Sequence, residues 1–254
     1  MLMAVTRQVS RSIGDCELTF LTRTPIDVDR ARRQHEEYEA ALKRLGLAVL
    51  SLPEAPDLPD SVFVEDTALV LDEVAVLMRC AAASRAPEME LMSDVLRPYR
   101  EILRLEPPAH MDGGDILRIG RRVFVGVSSR TDRAGIEQLR TRLKPFDYEV
   151  QAVPVTDCLH LKSAVTQVSE ETLLLNPHWV SSGAFGDVKT IETDASEPYA
   201  ANALLVAGAV VYSTEFPKTG ARIEAAGMHT VLVAADELAK AEGAVTCCSL
   251  IFKI

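Results

Sequence analysis

The predicted elements recur in the same order about five times along these 254 residues, and this repetition narrows the choice of fold. In the clearest unit, the apolar stretches 62–71 and 74–78 form a hairpin that turns at Asp72-Glu73. A helix follows from Pro87, and the strand 102–105 comes after it. The unit is therefore strand, strand, helix and strand.

Further segments repeat this order at intervals of roughly 40–55 residues. They are the hairpins 115–127, 163–175 and 203–213, the helices 132–144 and 217–227, and the strands 149–155 and 230–233. One such unit cannot bury its own apolar face, so neighbouring units must pack on each other. The repetition therefore predicts a radial array.

The two ends of the chain supply the fifth unit. The apolar stretch 244–252 has no partner after it, and residues 15–22 can pair with it. A helix follows that Asp27 can cap and Gly46 can end, and the strand 47–52 comes after it. We therefore expect one domain, residues 1–254, with its terminal strands closing one blade of a five-bladed α/β propeller with pseudo-five-fold symmetry.

Other architectures fit the same elements less well. An open α+β sheet stays a possible arrangement at this point. A doubly wound nucleotide-binding fold is disfavoured, because hairpins replace the single strands that βαβ crossovers need. The phosphate-binding patterns GxGxxG and GxxxxGK[ST] are absent. We therefore expect an α/β fold without a nucleotide cofactor.

Charge and cysteine content exclude several classes of partner. The formal net charge of −10 disfavours nucleic acid and acidic membranes, which require a basic surface. The five cysteines form no CxxC pattern, so neither a disulfide framework nor a structural zinc site is expected. No apolar run reaches the ~18 residues of a membrane span, and residues 1–15 lack the apolar core of a signal peptide. We expect a cytoplasmic protein with reduced thiols.

The polar residues that stand out share one position within the repeat. They lie at the start of, or within, the first strand of a hairpin: Asp60, Glu65, Asp66, Asp112, Asp115, His160, Asn202 and Cys247. Equivalent positions of a radial array meet at its axis. We therefore expect these side chains, far apart in sequence, to line one central pocket.

Each residue taken alone has an ordinary structural explanation. Cys247 lies in an apolar stretch, where most free cysteines are small core residues, and strand alternation puts Cys247 and Cys248 on opposite faces. His160 lies between leucines, and the Asp-Gly-Gly-Asp run at 112–115 can be a simple turn. A thiol and an imidazole that face one pocket instead indicate nucleophilic and acid–base chemistry.

Three carboxylates occur within or beside an apolar run, at Asp60, Glu65 and Asp66. A charged group is costly to bury without a partner, so these residues either lie at an exposed strand end or bind a cation. An acidic protein also suits a cationic small molecule. The sequence therefore favours a cationic substrate.

Short blocks along nearly the whole chain carry a family resemblance. They are RQH at 33–35, LPDSVFVED at 58–66, SR at 84–85, MDGGDI at 111–116, FVGVSSRT at 124–131, LHLKS at 159–163, YAAN at 199–202 and TCCSL at 246–250. Together, in this order, the blocks resemble the dimethylarginine dimethylaminohydrolases. These enzymes belong with arginine deiminases and amidinotransferases to the guanidino-group-modifying enzymes, whose fold is a five-bladed α/β propeller.

The resemblance implies roles for particular residues. Cys247 is implied as the nucleophile, His160 as the general acid and base, and Asp112 as the carboxylate that orients the histidine and the guanidinium. The residues implied to bind the substrate are Leu18 in a mobile lid, Asp60, Glu65, Asp66 as the main guanidinium partner, and Arg85 and Arg130 as a clamp for the substrate carboxylate. Cys80-Ala81 replaces the family's usual Pro-Gly, which predicts a differently shaped loop before Arg85. Asp112 stands where some relatives have Glu, which keeps the charge and shortens the reach.

The function implied is hydrolysis of N-ω-methylated arginine to citrulline and an alkylamine through a covalent thiouronium on Cys247. Deimination of unmethylated arginine and a non-catalytic propeller that binds a partner are the alternatives. We expect no cofactor and no catalytic metal, although a cysteine and a histidine at one pocket can bind inhibitory zinc. The expected partner is a small molecule, and both a monomer and a homodimer are compatible with the sequence.

Overall fold

The computed structural model describes residues 1–254, and its strands form five sheets of three strands each. In every sheet the first two strands are antiparallel, and the third is parallel to the second. The five sheets are Leu250–Lys253, Leu2–Arg7 and Ala48–Leu52; Ala68–Val70, Val74–Leu77 and Glu101–Arg104; Ile116–Ile119, Arg122–Val127 and Glu149–Pro154; Val165–Ser169, Thr172–Leu175 and Lys189–Glu192; and Leu204–Val206, Ala209–Ser213 and Thr230–Val233.

Helices connect the second and third strands of four units, and they are Val28–Arg44, Ala86–Leu96, Arg133–Leu143 and Pro217–Ala225. The fourth sheet in the order above has only a 3-10 turn there, Ser182–Phe185. Asp27 caps the first helix as predicted, because its Oδ1 accepts a hydrogen bond from Arg30 N at 2.9 Å. Gly46 follows this helix with a φ of +87°, in the left-handed region that favours glycine.

Further short helical segments lie outside these connections. They are Leu161–Ala164 and Asp236–Ala239, and the 3-10 turns Ile13–Asp15, Val64–Thr67, Ala83–Arg85, Gly113–Asp115, Lys144–Phe146 and Thr246–Cys248. No helix of the structure combines the length and the apolar character that crossing a membrane requires.

The middle strand of each sheet is buried on both faces, and alternate residues enter two different apolar clusters. Val123 and Val125 pack with the preceding sheet, whereas Phe124 between them packs with the following one. In the terminal unit, Ala4 and Val5 divide in the same way between the last and the first neighbouring sheets. Because strand side chains alternate, each sheet seals two interfaces, and the ring of five closes. This confirms the predicted propeller over the open sheet.

The start of each unit lies near the axis of the ring. Helical turns precede the first strands in four units: Val64–Thr67, Gly113–Asp115, Leu161–Ala164 and Thr246–Cys248. The turn Val64–Thr67 contacts Gly113–Asp115 and Thr246–Cys248, and Gly113–Asp115 also contacts Leu161–Ala164. The residues predicted to converge are therefore carried by turns that touch at the centre.

Two predicted strands are wrong in this region. Residues 62–71 contain a strand only at Ala68–Val70, and residues 244–252 contain one only from Leu250. The charged and reactive side chains in these stretches instead belong to helical turns. A turn directs consecutive side chains to different sides over a short length, so charged side chains can reach the axis while apolar neighbours stay in the core.

The predicted N-terminal strand at residues 15–22 is also wrong. Leu2–Arg7 pairs antiparallel with Leu250–Lys253 and parallel with Ala48–Leu52. Ala4 and Val5 are fully buried on its two faces, whereas Glu17, Thr19 and Phe20 in the predicted segment are exposed. A strand inside a closed ring must be apolar on both faces, and only the earlier stretch meets that requirement.

Candidate active site

Residues from widely separated stretches of the chain line one small pocket at the centre of the ring. The pocket measures about 20 Å³, and its lining includes Asp60, Asp66, Arg85, Asp112, Arg130, His160 and Cys247. These residues span most of the chain. The structure therefore brings together most of the residues that the sequence singled out.

His160 lies between two buried carboxylates. Its Nε2 donates a hydrogen bond to Asp112 Oδ2 at 3.2 Å, and its Nδ1 lies 4.0 Å from Asp66 Oδ1. Burial opposes protonation of the imidazole, but the charge of Asp66 and the hydrogen bond to Asp112 outweigh it and raise the pKa of His160 to about 9. The ring is therefore a cation at neutral pH and can donate a proton.

Gly114 makes this close approach possible. A Cβ at this position would lie 2.5 Å from His160 Nδ1 and 2.9 Å from Asp66 Oδ1. Gly114 N also donates a hydrogen bond to Asp66 Oδ1 at 3.0 Å. The Asp-Gly-Gly-Asp run is thus a turn, as its composition suggests, and it also lets the histidine reach the carboxylates.

Asp115 holds the turn that carries His160 in place. Its Oδ1 accepts a hydrogen bond from Leu161 N at 2.9 Å, and its Oδ2 accepts one each from Ser128 Oγ and Thr131 Oγ1. The residue is fully buried, and burial raises its pKa. Asp115 therefore supports the site from behind and does not line the pocket.

Arg85 is engaged mainly by the protein itself. Its Nη1 donates to Asp66 Oδ2 at 2.6 Å, its Nε and Nη2 donate to Glu88, and its Nη2 also donates to Phe63 O. Burial opposes its charge, but Glu88 and Asp66 raise its pKa well above the ordinary value. These contacts use four of the five N–H groups of a guanidinium. The clamp role that the resemblance implies for Arg85 stays a prediction, and its main contacts in the structure pair it with Asp66 and Glu88.

Arg130 also lines the pocket, and its side chain makes fewer contacts than that of Arg85. Its Nη2 donates to Thr19 Oγ1 at 2.9 Å, and its Nη1 lies 4.0 Å from Asp112 Oδ2. Most of its N–H groups are free to bind another group. A guanidinium with free donors suits a carboxylate, because its planar fork matches two oxygens.

The adjacent cysteines have different surroundings. Cys247 is half-buried and lines the pocket, whereas Cys248 is buried within an apolar core cluster. Their side chains enter different surroundings, as predicted, but the backbone that carries them is a 3-10 turn and not a strand. Burial, together with Glu65 and Asp66, raises the pKa of Cys247 to about 12. These surroundings keep Cys247 a neutral thiol at neutral pH.

A polar network lies behind Cys247. Glu65 Oε1 pairs with Lys162 Nζ at 2.5 Å, and Glu65 Oε2 accepts a hydrogen bond from Thr246 Oγ1 at 2.8 Å. Asn202 donates to Thr246 Oγ1 and accepts from Thr246 N. Glu65 and Asn202 therefore hold the turn that carries Cys247, and both carboxylate oxygens of Glu65 already have partners.

A loop at residues 17–21, which we call the roof loop, covers the pocket. Glu17 N donates to Asp60 Oδ2 at 3.1 Å. Glu242 accepts hydrogen bonds from the backbone N–H groups of Thr19, Phe20 and Leu21 at 2.6–3.1 Å. Successive N–H groups that converge on one carboxylate form an anion-binding nest, here filled by a side chain of the protein itself.

Leu18 does not line the pocket, in contrast to the lid role that the resemblance implies for it. Its side chain packs against the largest apolar cluster. The neighbouring residues Glu17, Phe20 and Leu21 line the central cavities. The roof loop therefore does contribute to the lining of these cavities, but through side chains other than that of Leu18.

Glu88, Lys162, Thr246 and Glu242 belong to the site, although the sequence reading did not select them. Lys162 and Thr246 lie within the blocks 159–163 and 246–250 that carry the family resemblance, so their position in the sequence indicates that they belong to the site. Glu242 has a positive φ of +58°, which is unusual for a residue with a side chain. Neither its contacts nor Glu88's are visible in the sequence, because their partners lie on other elements or deeper in the core.

The pocket offers donor atoms that suit an organic cation. One ligand atom each from Asp66, Asp112 and His160 lie within 4.8 Å of one another, a spacing that a metal ion could also bridge. Arg85 is already paired with Asp66, and Arg130 lies beside Asp112. The positive charges of these guanidinium groups disfavour binding of a metal cation here, so we assign no metal to the cluster.

Comparisons with known proteins agree with this geometry. A family profile described as arginine deiminase matches residues 54–197. A dimethylarginine dimethylaminohydrolase of Streptomyces coelicolor is 34% identical over 252 residues, covering 97% of this chain and 95% of that protein. A solved structure of the Pseudomonas aeruginosa enzyme of that name, a cysteine-to-serine variant complexed with citrulline, superposes with a TM-score of 0.94 at 30% identity and covers 98% of both chains. A crystal structure of a histidine-to-glycine variant of a dimethylarginine dimethylaminohydrolase, an adduct with S-methyl-L-thiocitrulline, has a TM-score of 0.95 at 30% identity and covers 99% of this chain and all of that one.

Proposed function

This chain belongs to the family of dimethylarginine dimethylaminohydrolases, and we propose that it hydrolyses N-ω-methylated arginine to citrulline and methylamine or dimethylamine. One observation carries the proposal: Cys247 and His160 line the same pocket as the buried carboxylates Asp60, Asp66 and Asp112. A thiol beside a proton donor can attack and cleave, and the carboxylates can fix a guanidinium. A relative complexed with citrulline supports the same product.

Substrate binding prepares the nucleophile. In the empty pocket, burial and the nearby carboxylates keep Cys247 as a thiol. A guanidinium between Asp66 and Asp112 offsets those negative charges, which lowers the thiol pKa, and the proton leaves to solvent. The thiolate therefore forms where and when the substrate cation is bound.

The reaction then proceeds in two steps. The Cys247 thiolate attacks the guanidinium carbon, the bond from that carbon to the methylated nitrogen breaks, and His160 donates a proton to the departing amine. A thiouronium remains on Cys247. His160, now neutral, takes a proton from water, whose oxygen attacks the same carbon. The C–S bond then breaks with its electron pair returning to the sulfur, the second proton of that water leaves to solvent, and citrulline is released.

The remaining residues bind and orient the substrate. Asp112 holds the ring of His160, and Asp66, kept ionised by Arg85, faces the guanidinium. Arg130, with most of its donors free, binds the substrate carboxylate. Asp60 is tied to the roof loop, and Glu65 acts from behind by fixing the turn of Cys247. We assign Leu18 no direct contact.

The test is release of citrulline from dimethylarginine, monomethylarginine and arginine, measured side by side. We expect the two methylated compounds to be hydrolysed much faster than arginine, and faster release from arginine would favour a deiminase. Cys247→Ser should abolish turnover, because an alcohol is far less nucleophilic than a thiolate at neutral pH. The matched control Cys248→Ser should keep most of it, and the opposite result would disprove the assignment of the nucleophile.

Two further expectations accompany this function. The substrate is the partner we propose, and a monomer or a homodimer is equally compatible with a site built within one chain. The cytoplasmic location stays a prediction from the acidic charge and the thiol chemistry.

A further inference from the structure

The pocket of Cys247 opens on one side into a larger cavity, which we call the side cavity. The pocket itself measures about 20 Å³, and the side cavity measures about 210 Å³. Both linings include Leu159, His160, Glu242, Gly243 and Cys247. The side cavity therefore begins at the reacting groups.

Much of the side cavity wall is apolar. The apolar side chains that line it include Phe20, Leu21, Tyr199, Phe216, Ala244 and Val245. Lys162 in its lining is paired with Glu65 at 2.5 Å, so this cation does not call for an anionic ligand. The acidic side chains Asp157, Glu215 and Glu242 also line the cavity, and its apolar wall suits an apolar group.

The chemistry of the substrate indicates which apolar group this is. On the proposed function, the carboxylates Asp66 and Asp112 hold the charged guanidinium in the small pocket, whose volume is about a tenth of that of the side cavity. His160 lies at the boundary of the two spaces and protonates the nitrogen that carries the substituent. That substituent must therefore extend away from the carboxylates, towards the larger and less polar space.

We propose, on the premise of the proposed function, that the side cavity binds the N-alkyl group of the substrate and accepts chains longer than methyl. The reaction is unchanged in its balance. The bond between the guanidinium carbon and the alkylated nitrogen breaks, His160 supplies a proton to the alkylamine, and water completes citrulline. The substrate class is then N-ω-alkylarginine, of which the methylated compounds are the smallest members.

The test is a series of N-ω-methyl-, ethyl-, propyl- and butylarginine, with citrulline release as the measurement. Burial of each added methylene lowers KM, by up to about fourfold per methylene. A KM that rises beyond methyl, or turnover that stops there while methylarginine is hydrolysed, overturns this proposal alone. No citrulline from methylarginine itself overturns the proposed function and this proposal with it.

A substitution in the lining locates the alkyl chain. Ala239 is exposed and lines the side cavity, so Ala239→Phe narrows it without burying new volume in the core. We expect the ratio of kcat/KM for butylarginine to that for methylarginine to fall at least about tenfold. Ala221, exposed on the helix Pro217–Ala225 and outside the lining, provides the control Ala221→Phe, which leaves the ratio unchanged. An unchanged ratio in Ala239→Phe would overturn the assignment of the cavity.

Discussion

Arg85 and Arg130 line one pocket, and the comparison shows how surroundings divide the work of two identical side chains. We call the more buried surroundings of Arg85 the inner end and the less buried surroundings of Arg130 the outer end. Arg85 is paired with Asp66 and Glu88, and its side chain is only 5% exposed. The side chain of Arg130 makes one hydrogen bond, to a threonine of the roof loop. The resemblance implies the same role for both, but the number of partners already bound separates them.

The inner end is therefore fixed before a substrate arrives, and the outer end is completed by it. At the inner end, Arg85 is paired with Asp66 and Glu88 inside the protein. At the outer end, a guanidinium and the roof loop await a ligand. Substitutions at the inner end should act mainly on folding, and those at the outer end on binding.

The largest effect is expected for Arg85→Ala. Removing the guanidinium leaves Asp66 and Glu88 as buried carboxylates without their partner, which costs about 3–5 kcal/mol of the free energy of unfolding. Urea denaturation measures this loss, and Arg130→Ala serves as the matched control with stability close to that of the unsubstituted protein. Equal stability of the two variants would contradict the division between the two ends.

Arg130→Ala should instead raise KM by about 30-fold, because loss of a charged hydrogen-bonding partner costs about 2 kcal/mol. The effect on kcat should be small, since Arg130 touches neither the sulfur nor the leaving amine. Steady-state citrulline assays separate the two constants. Arg130→Lys should recover only part of the affinity, because an ammonium lacks the planar fork. A fall in kcat at unchanged KM would move Arg130 into the chemistry.

The pH dependence of kcat/KM tests the inner end further. The reactive form needs a thiolate and an imidazolium, and the pKa of His160 is about 9 while that of Cys247 is about 12. Below pH 9 the imidazolium is present, and the fraction of Cys247 in the thiolate form rises with pH. We therefore expect kcat/KM to rise about tenfold per pH unit and to level off near pH 9.

Two variants test whether His160 sets the pH at which kcat/KM levels off. In Asp66→Asn, His160 loses the neighbouring charge that most favours its protonated form, so the levelling moves to lower pH and substrate capture weakens. In Arg130→Ala, the levelling stays near pH 9. A shift in the second variant and none in the first would show that the outer end controls the histidine.

The smallest effect is expected for Glu242→Gln. An amide replaces one acceptor oxygen with a donor, so the roof loop loses part of its attachment through Thr19, Phe20 and Leu21. A loss of about 1 kcal/mol corresponds to a KM raised about fivefold at unchanged kcat. Amide hydrogen exchange of residues 19–21 should become faster, and bound citrulline should slow it again. Unchanged exchange would remove Glu242 as the attachment of the loop.

Much of the fold followed from local patterns. The ββαβ order, the cap at Asp27 and the five units were predicted because period and capping residues act over a few positions. The wrong segments 62–71 and 244–252 share a different property. Their polar residues line the central pocket, and an apolar stretch that contains such residues resembles a strand whether or not it is one. The wrong segment 15–22 is instead largely exposed.

The chain's own residues determined which groups meet. Each chemistry-bearing side chain stands just before the first strand of a unit, and in a closed ring of repeated units those positions must converge on the axis. This held for Asp66, Asp112, His160 and Cys247, although helical turns and not strands present them.

Only the tertiary structure decided what each group does after they meet. It paired Arg85 with Glu88, left Arg130 free, joined Glu242 to the roof loop and placed an apolar cavity beside Cys247. The reason is physical: periodicity is a property of neighbouring residues, whereas the state of a charge depends on burial and on partners far away in sequence, such as Phe20 for Glu242, 222 residues apart.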